Sequence, residues 1–449
     1  MPRGLIQRLY TVALGVGLVV AAPAYLAKAA RRGTGVALRE RLGRLPDSVV
    51  AALRGRRAVW VHAVSVGEVT AAAPLLREIK ARHPTLCLFV TTVTATGRQT
   101  VIERVPQADA TAYFPLDFPR VAERVLRLVE PRAFLCVETE LWPNFLFALA
   151  RRGIPAFLVN ARLTERSARR YAWARRLFQP ALAGVFGFGA QTAADAERLA
   201  AIGADPGRIV ITGNLKFDQG TEDADMPSAT RRAGLGLGPE ERLWVAGSTH
   251  PGEETLLVRA YLRLRQRDPR LVLLLAPRHL DRLDKVEAMV REEGAEPVRR
   301  TAPTSGRRTA PIGGRRSASA GPASGATPRV ILLDTLGELA SLYAEAEVAF
   351  VGGTLAPVGG HNLLEPAARG KPVVFGPHTH KCEEIARTLL AAGAGVRVDS
   401  TEALVAQVGR LLGDGALRAR MGRQGLEMVA RNRGAVDRTL ALVHPWLVD

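Results

Sequence analysis

Residues 9–27 form a stretch of 19 without a charge, close to the roughly 20 apolar residues that carry a helix across a bilayer. The pattern predicts one N-terminal anchor helix within an otherwise basic segment, residues 1–45. Beyond it, short apolar runs alternate with stretches whose apolar residues recur every three or four positions, as in doubly wound parallel α/β sheets. Residues 58–63 (AVWVHA) read as a strand, and 68–82 as a helix with Val69, Ala72, Leu75, Leu76 and Ile79 on one face. Further strands are expected at 86–92, 133–137, 156–160 and 209–212, which makes 46–218 a first Rossmann-like domain. Residues 219–240, rich in acidic, Gly, Pro and Ala residues, read as a linker. A second alternating series, 241–449, has strands at 243–246, 271–276, 330–333, 348–351, 373–375 and 395–398. Within it, 297–329 carries paired arginines among Ser, Ala, Gly and Pro with no acidic residue, which predicts a flexible, solvated insertion.

Charge narrows the partners. Lysine and arginine number 62 against 43 acidic residues, a net charge of +19, which favours nucleic acid, anionic lipid or phosphorylated substrates. Aromatic residues make up only 5% and do not interleave with basic ones, so nucleic acid is the weakest of the three. The positive-inside bias places the large C-terminal portion in the cytoplasm, because Lys28, Arg31, Arg32, Arg39, Arg41 and Arg44 follow the apolar stretch and only Arg3 and Arg8 precede it. Two other readings of the stretch stay open. It resembles a signal peptide with small residues near Ala22 and Ala24, although the basic segment after it opposes export. It also suits a helix lying in the interface, since Gly15, Gly17 and Pro23 weaken a straight span. Three widely separated cysteines indicate a reducing compartment. His378, His380 and Cys382 alternate as on one strand face, yet zinc needs a fourth ligand and none is adjacent; no metal site is expected.

Two Rossmann-like lobes joined by a linker predict a cleft between the carboxyl ends of their sheets, and chemistry-bearing residues should follow strands. They do: SVGE (65–68), TATG (94–97), ETELWPN (138–144) and NAR (160–162) in the first lobe; STHPGEE (248–254), PRH (277–279), GGT (352–354) and GGHNLLEP (359–366) in the second. Glu68, in the first turn of its helix, is placed either as a general base or as a capping residue. The helix dipole would keep it ionised and limit its basicity. Glu138 and Glu140 share a face of an extended segment, and one or both should pair with an arginine such as Arg162. In GGTLAPVGGHNLLEP, Gly359 and Gly360 permit close backbone approach to a phosphate or sugar. His361 and Asn362 can hydrogen-bond the ligand, the following helix offers amides, and Glu365 is in reach of a ribose diol. Arg278 is a phosphate clamp. Walker and Gly-x-Gly-x-x-Gly patterns are absent, so a sugar nucleotide fits better than NTP hydrolysis or NAD.

Taken in order, RERLG (39–43), SVGE, ETELWPN, NARL, GNLKFD, STHPGEE, PRH, DTLGEL, GGHNLLEP and GPHTHK make the chain resemble the 3-deoxy-D-manno-octulosonic acid (Kdo) transferases of lipopolysaccharide biosynthesis. The resemblance implies an inverting, metal-independent glycosyltransferase of the two-lobed GT-B fold, without a cofactor, held at the inner membrane. It implies Glu68 as catalytic base and Glu138 in support. Ser65, Gly67, Arg162 and Lys216 would lie on the acceptor side, facing a phosphorylated lipid A precursor, lipid IVA. CMP-Kdo would meet Ser248, Thr249, His250, Arg278, His279 and Gly337, then Gly359, Gly360, His361, Asn362 and Glu365. Two alternatives remain: a GT-B lipid glycosyltransferase using a UDP-sugar, and a non-catalytic membrane-bound protein that binds polyanions.

Overall fold

The computed structural model describes residues 3–31, 37–218, 227–301 and 328–447. They fall into two units, Met1–Gly220 with Asn432–Asp449, and Thr221–Arg431. In the first unit the strands are β1 Val59–His62, β2 Leu88–Thr92, β3 Ala110–Tyr113, β4 Ala133–Val137, β5 Ala156–Ala161, β6 Gly187–Ala190 and β7 Ile209–Ile211. They form one sheet in the order β3-β2-β1-β4-β5-β6-β7, parallel throughout. Because helices cover both faces, the central strands are continuous apolar runs without alternation. Trp60 packs among Phe89, Phe114, Phe134 and Phe145 on one face. Val59, Val61, Leu135 and Val159 join the other face's core with Val69, Leu76 and Ile79.

The helices that position the site in this unit are α1 Arg3–Arg31, α2 Val66–Arg82, α3 Pro143–Arg151, α4 Glu165–Trp173 and α5 Arg175–Leu182. The expected separate 1–45 segment is corrected. Glu40 accepts from the Tyr113 amide at 2.9 Å and pairs with Arg98 at 3.1 Å, while Arg41 donates to the Val93 carbonyl at 2.6 Å. These bonds make residues 38–41 an edge of the first unit.

The second unit has strands β8 Arg242–Thr249, β9 Leu271–Pro277, β10 Glu296–Arg299, β11 Arg329–Leu332, β12 Val348–Val351, β13 Val373–Phe375 and β14 Gly395–Arg397. Their order is β10-β11-β9-β8-β12-β13-β14, again parallel. Two helices matter here, α6 Ser228–Gly234 and α7 Glu253–Arg265. The expected linker is shorter than 219–240. Residues 219–226 lie outside the described ones, but α6 is built onto the second unit, with Arg231 2.7 Å from Glu345 and Ser228 2.6 Å from the same carboxylate. The expected insertion also begins late, since Pro297–Arg299 belong to β10 and Arg329 to β11. Residues 302–327 lie outside the described residues.

The assignment of 241–449 to one domain is corrected at its end. Helix α8, Ala435–Val443, belongs to the first unit. It buries Ala435, Leu440 and Val443, with Leu447, in the core beneath α2. Asp218 accepts from the Gly434 and Val436 amides at 2.7 and 2.6 Å, and Arg438 donates to the Thr212 carbonyl at 2.8 Å.

Candidate active site

In open parallel sheets ligands bind beyond the carboxyl ends of strands where the strand order reverses. In the first sheet that point lies between β1 and β4, in the second between β8 and β12. SVGE follows β1, ETE follows β4, STH ends and follows β8, and GGT follows β12. Non-glycine residues with left-handed backbone are scarce in proteins and strained. Two of those among the described residues stand at these exits, Glu138 (φ 62°) after β4 and Ser248 (φ 56°) in β8, and a third, Asn160 (φ 55°), lies near the end of the neighbouring β5.

In the first unit Glu68 is the third residue of α2, after the N-cap Ser65. One carboxylate oxygen accepts from the Val64 amide at 2.7 Å and the other from the Ser65 hydroxyl at 3.0 Å. The capping role and a position at the switch point therefore coexist. Burial, and next the charge of Glu138, push the Glu68 carboxyl up to about 7; the two hydrogen bonds oppose this and Glu140 adds to it. The expectation that the helix dipole would keep this group a weak base is corrected, because desolvation outweighs it. Gly67 leaves the mouth of the turn open, a Cβ there meeting nothing nearer than Ser65 Oγ at 3.9 Å.

Glu138 does not pair with Arg162. Its nearest cation is Lys216 Nζ at 3.9 Å, and among the described residues no ion pair involves the Arg162 guanidinium. The reason lies in Asn160: its strained backbone aims Oδ1 at the Leu215 amide, 3.0 Å away, which draws the Leu215–Asp218 turn and Lys216 toward β4. Arg162 is held by its own amide, which donates to Thr139 Oγ1 at 3.1 Å. Burial pushes the Glu140 carboxyl up, with Glu138 adding to the effect.

The second unit is organised by a residue that the motif reading passed over. Glu253, the first residue of α7, is almost wholly buried and accepts from five backbone amides: His250 at 2.9, Gly353 at 2.7, Thr354 at 2.9, Leu355 at 2.8 and Ala356 at 3.0 Å. A buried carboxylate needs such compensation, and here it ties the exit of β8 to the exit of β12. Gly352 must be glycine, since a Cβ would meet the Ser248 carbonyl and lie 2.6 Å from Thr249 Cα. The one sequence signal was a first-turn glutamate, which reads as an ordinary cap.

Above this tie, His250 and His361 stack with rings 4° from parallel and Nε2 atoms 2.7 Å apart. Burial, followed by the neighbouring His250, Arg278, Lys381 and His279, drives His361 down to about 3. Burial also lowers His250. Both rings are neutral near pH 7, so one donates to the other, and the exposed Arg278 and Lys381 supply the positive field around them. The Arg278 amide donates to the Thr249 carbonyl at 3.0 Å, fixing the strand exit from which its side chain projects. Thr249 donates to Glu254 at 3.3 Å, and Glu254 pairs with Arg282 at 3.0 Å. Asn362 bridges the Leu364 amide (3.1 Å) and Glu365 Oε1 (3.2 Å). Gly337 (φ 90°) borders open space.

Gly359 and Gly360 depart from expectation. Both have positive φ, but a Cβ on Gly359 would strike the His380 ring and one on Gly360 would lie 2.6 Å from Cys382 Sγ. Their small size serves packing against the HTHKC segment. The helix after them, Leu364–Ala367, has four residues, and its first amide is taken by Asn362. Among the described residues no three His, Cys, Asp or Glu side chains converge as metal ligands.

The solved structures that match over most of the chain include UDP-GlcNAc 2-epimerase from Neisseria meningitidis and MurG from Acinetobacter baumannii. The former is 12% identical with a TM-score of 0.57, covering 87% of this chain and all of that one. The latter is 12% identical with a TM-score of 0.51, covering 87% and 99%. At such identity they speak to the fold alone. Two parallel seven-stranded sheets, each with motifs at its own switch point, give the chain the two-lobed GT-B fold. Residues 36–219 match the family model described as 3-Deoxy-D-manno-octulosonic-acid transferase (kdotransferase). A 3-deoxy-D-manno-octulosonic acid transferase of Haemophilus influenzae is 35% identical over 390 residues, 87% of each chain. That of Bordetella pertussis is 36% identical over 398 residues, again 87% of each. The chain belongs to the Kdo transferase family.

Proposed function

We propose that the protein moves Kdo from CMP-Kdo to a phosphorylated lipid A precursor, lipid IVA, with inversion and without a metal ion, at the cytoplasmic face of the inner membrane. The observation that carries this reading is Glu68: a carboxylate at the switch point of the first sheet, tuned to about 7 by burial and by Glu138. A general base works best when its pKa lies near the operating pH. Glu68 removes the proton from the acceptor's primary hydroxyl, whose oxygen attacks the anomeric carbon of Kdo. The bond from that carbon to the phosphate oxygen breaks on the opposite face, and CMP departs with the electron pair. Glu138, with Lys216 beside it, holds the acceptor side together with Ser65, Gly67 and Arg162.

CMP leaves as an anion, so it needs positive charge and hydrogen-bond donors more than a strong acid. Arg278, His279 and Lys381 around the neutral His250–His361 pair meet that need. Gly337, Asn362 and Glu365 complete the donor side, with Ser248 and Thr249 at the strand exit. Gly359 and Gly360 act by shaping the loop that carries His361. The net charge of +19 suits a phosphorylated lipid acceptor.

The test is transfer from CMP-Kdo, generated in situ, to lipid IVA in the presence of a chelator, with products read by mass. Wild type should form product with chelator present, and Glu68→Gln should be slower by about 10²–10⁴-fold, the range for loss of a general base. Wild type inactive with CMP-Kdo but active with a UDP-sugar would overturn the donor assignment.

A further inference from the structure

Helix α1 has two faces. Ile6, Gln7, Tyr10, Thr11, Leu14 and Gly15 are partly covered, whereas Leu5, Leu9, Val12, Val16, Val19 and Val20 are exposed, Val20 at 75%. The covered face packs on α3 and α5 through a polar clamp. Tyr10 donates its hydroxyl to Asp117 Oδ2 at 2.9 Å, Gln7 donates to Asn144 Oδ1 at 2.9 Å, and Asn144 donates to Thr11 Oγ1 at 3.0 Å. Asp117 and Asn144 are themselves buried, and the Asp117 carboxylate also binds the Asn144 and Phe145 amides at 3.1 and 2.7 Å. A helix running across a bilayer would carry Gln7, Tyr10 and Thr11 away from these partners and break hydrogen bonds to buried groups, which is expensive. Of the two membrane readings of this helix, spanning and interfacial, the clamp favours the second.

Next to it, α4 and α5 carry Arg166, Arg169, Arg170, Arg175 and Arg176, all exposed, against the single carboxylate Glu165. Trp173, at the end of α4, is 92% exposed. An apolar helix face flanked by an aromatic residue and a row of cations is what the headgroup boundary of an anionic bilayer accommodates.

We infer that α1 lies along the membrane as a strap, and that its exposed apolar face, Trp173 and these arginines form one surface that seats on an anionic leaflet without crossing it. This rests on the membrane association proposed above and on neither the donor nor the acceptor assignment. The three native cysteines are buried, so single surface cysteines report topology in the full chain. Gly4→Cys and Ala51→Cys, probed with a membrane-impermeant maleimide, should both label in inverted inner-membrane vesicles and neither in spheroplasts. Labelling of the two from opposite sides would overturn the strap.

Flotation with vesicles of phosphatidylethanolamine, phosphatidylglycerol and cardiolipin should capture the protein, and pure phosphatidylcholine vesicles should do so far less. Replacing Arg166, Arg169 and Arg170 by Gln should weaken the anionic binding on the order of 100-fold, at about 1 kcal/mol per charge near the surface. Equal capture by both vesicles, or a self-associated protein that captures neither, would overturn the surface. If labelling and flotation behave as expected while no Kdo is transferred, only the activity reading fails.

Discussion

Glu68 shows how a position can be visible in a sequence while its chemistry is not. Its place after β1 in the SVGE turn follows from strand periodicity alone. Its basicity depends on Glu138, 70 positions further along, which β4 brings to the neighbouring exit. Because the folded pKa is raised from about 4.5 to about 7, the native state keeps a proton that the unfolded chain releases between those values. This contribution to stability is complete below about 4.5 and is lost as pH rises through about 7. Activity runs the other way, since only the ionised form accepts a proton. The pH profile of kcat/KM should therefore rise through about 7. In Glu138→Gln, which removes the second-largest cause of the shift, the rise should move to lower pH, and an unmoved limb would show that Glu138 does not set it. Arg162 was misread for a related reason: spacing places arginines near carboxylates, but the strained Asn160 decides which cation arrives.

At the level of elements, β1, β4, β8, β9 and β12 announced themselves as runs of Val, Leu, Phe and Trp. Three others did not. Strand β6 (GFGA) carries glycines because Leu442, Phe157 and Thr212 crowd it: a Cβ on Gly187 would lie 2.9 Å from Leu442, and one on Gly189 would lie 2.9 Å from Thr212 Oγ1. Glycine depletes the very signal by which strands are read. Strand β3 (ATAY) is small and polar, and β10 (EPVR) is an edge strand that tolerates proline. The pairing of β10 with β11 in parallel has a practical result. A parallel connection must run back along the strand and needs about a dozen residues. Deleting 306–322 leaves about that length, and transfer rate and thermal midpoint should stay near wild type. Deleting 300–328 should break the pair and lower the midpoint.

For the molecule as a whole, two-domain architecture was visible in the alternation of strands and helices, but its true partition was not. Periodicity marks α8 as a helix and is silent about which sheet it serves. The buried Ala435, Leu440, Val443 and Leu447 answer that. Truncation after Arg431 should remove burial worth about 1.5–3 kcal/mol for each large aliphatic side chain. Amide hydrogen exchange should then speed up across β1, β4 and α2 while β8, β9 and β12 keep their protection. Uniform protection in both units would refute the assignment.

The same return of the chain sets an order of events during synthesis. The first unit is begun by residues 3–218 and completed only by 432–447, so the second unit is a guest inserted into it. A ribosome finishes translating the guest before it delivers the residues that close the host. The half bearing Glu68 thus waits with part of its core still to come, and a nascent chain stalled within the second unit would lack the packing of Ala435, Leu440, Val443 and Leu447 beneath α2.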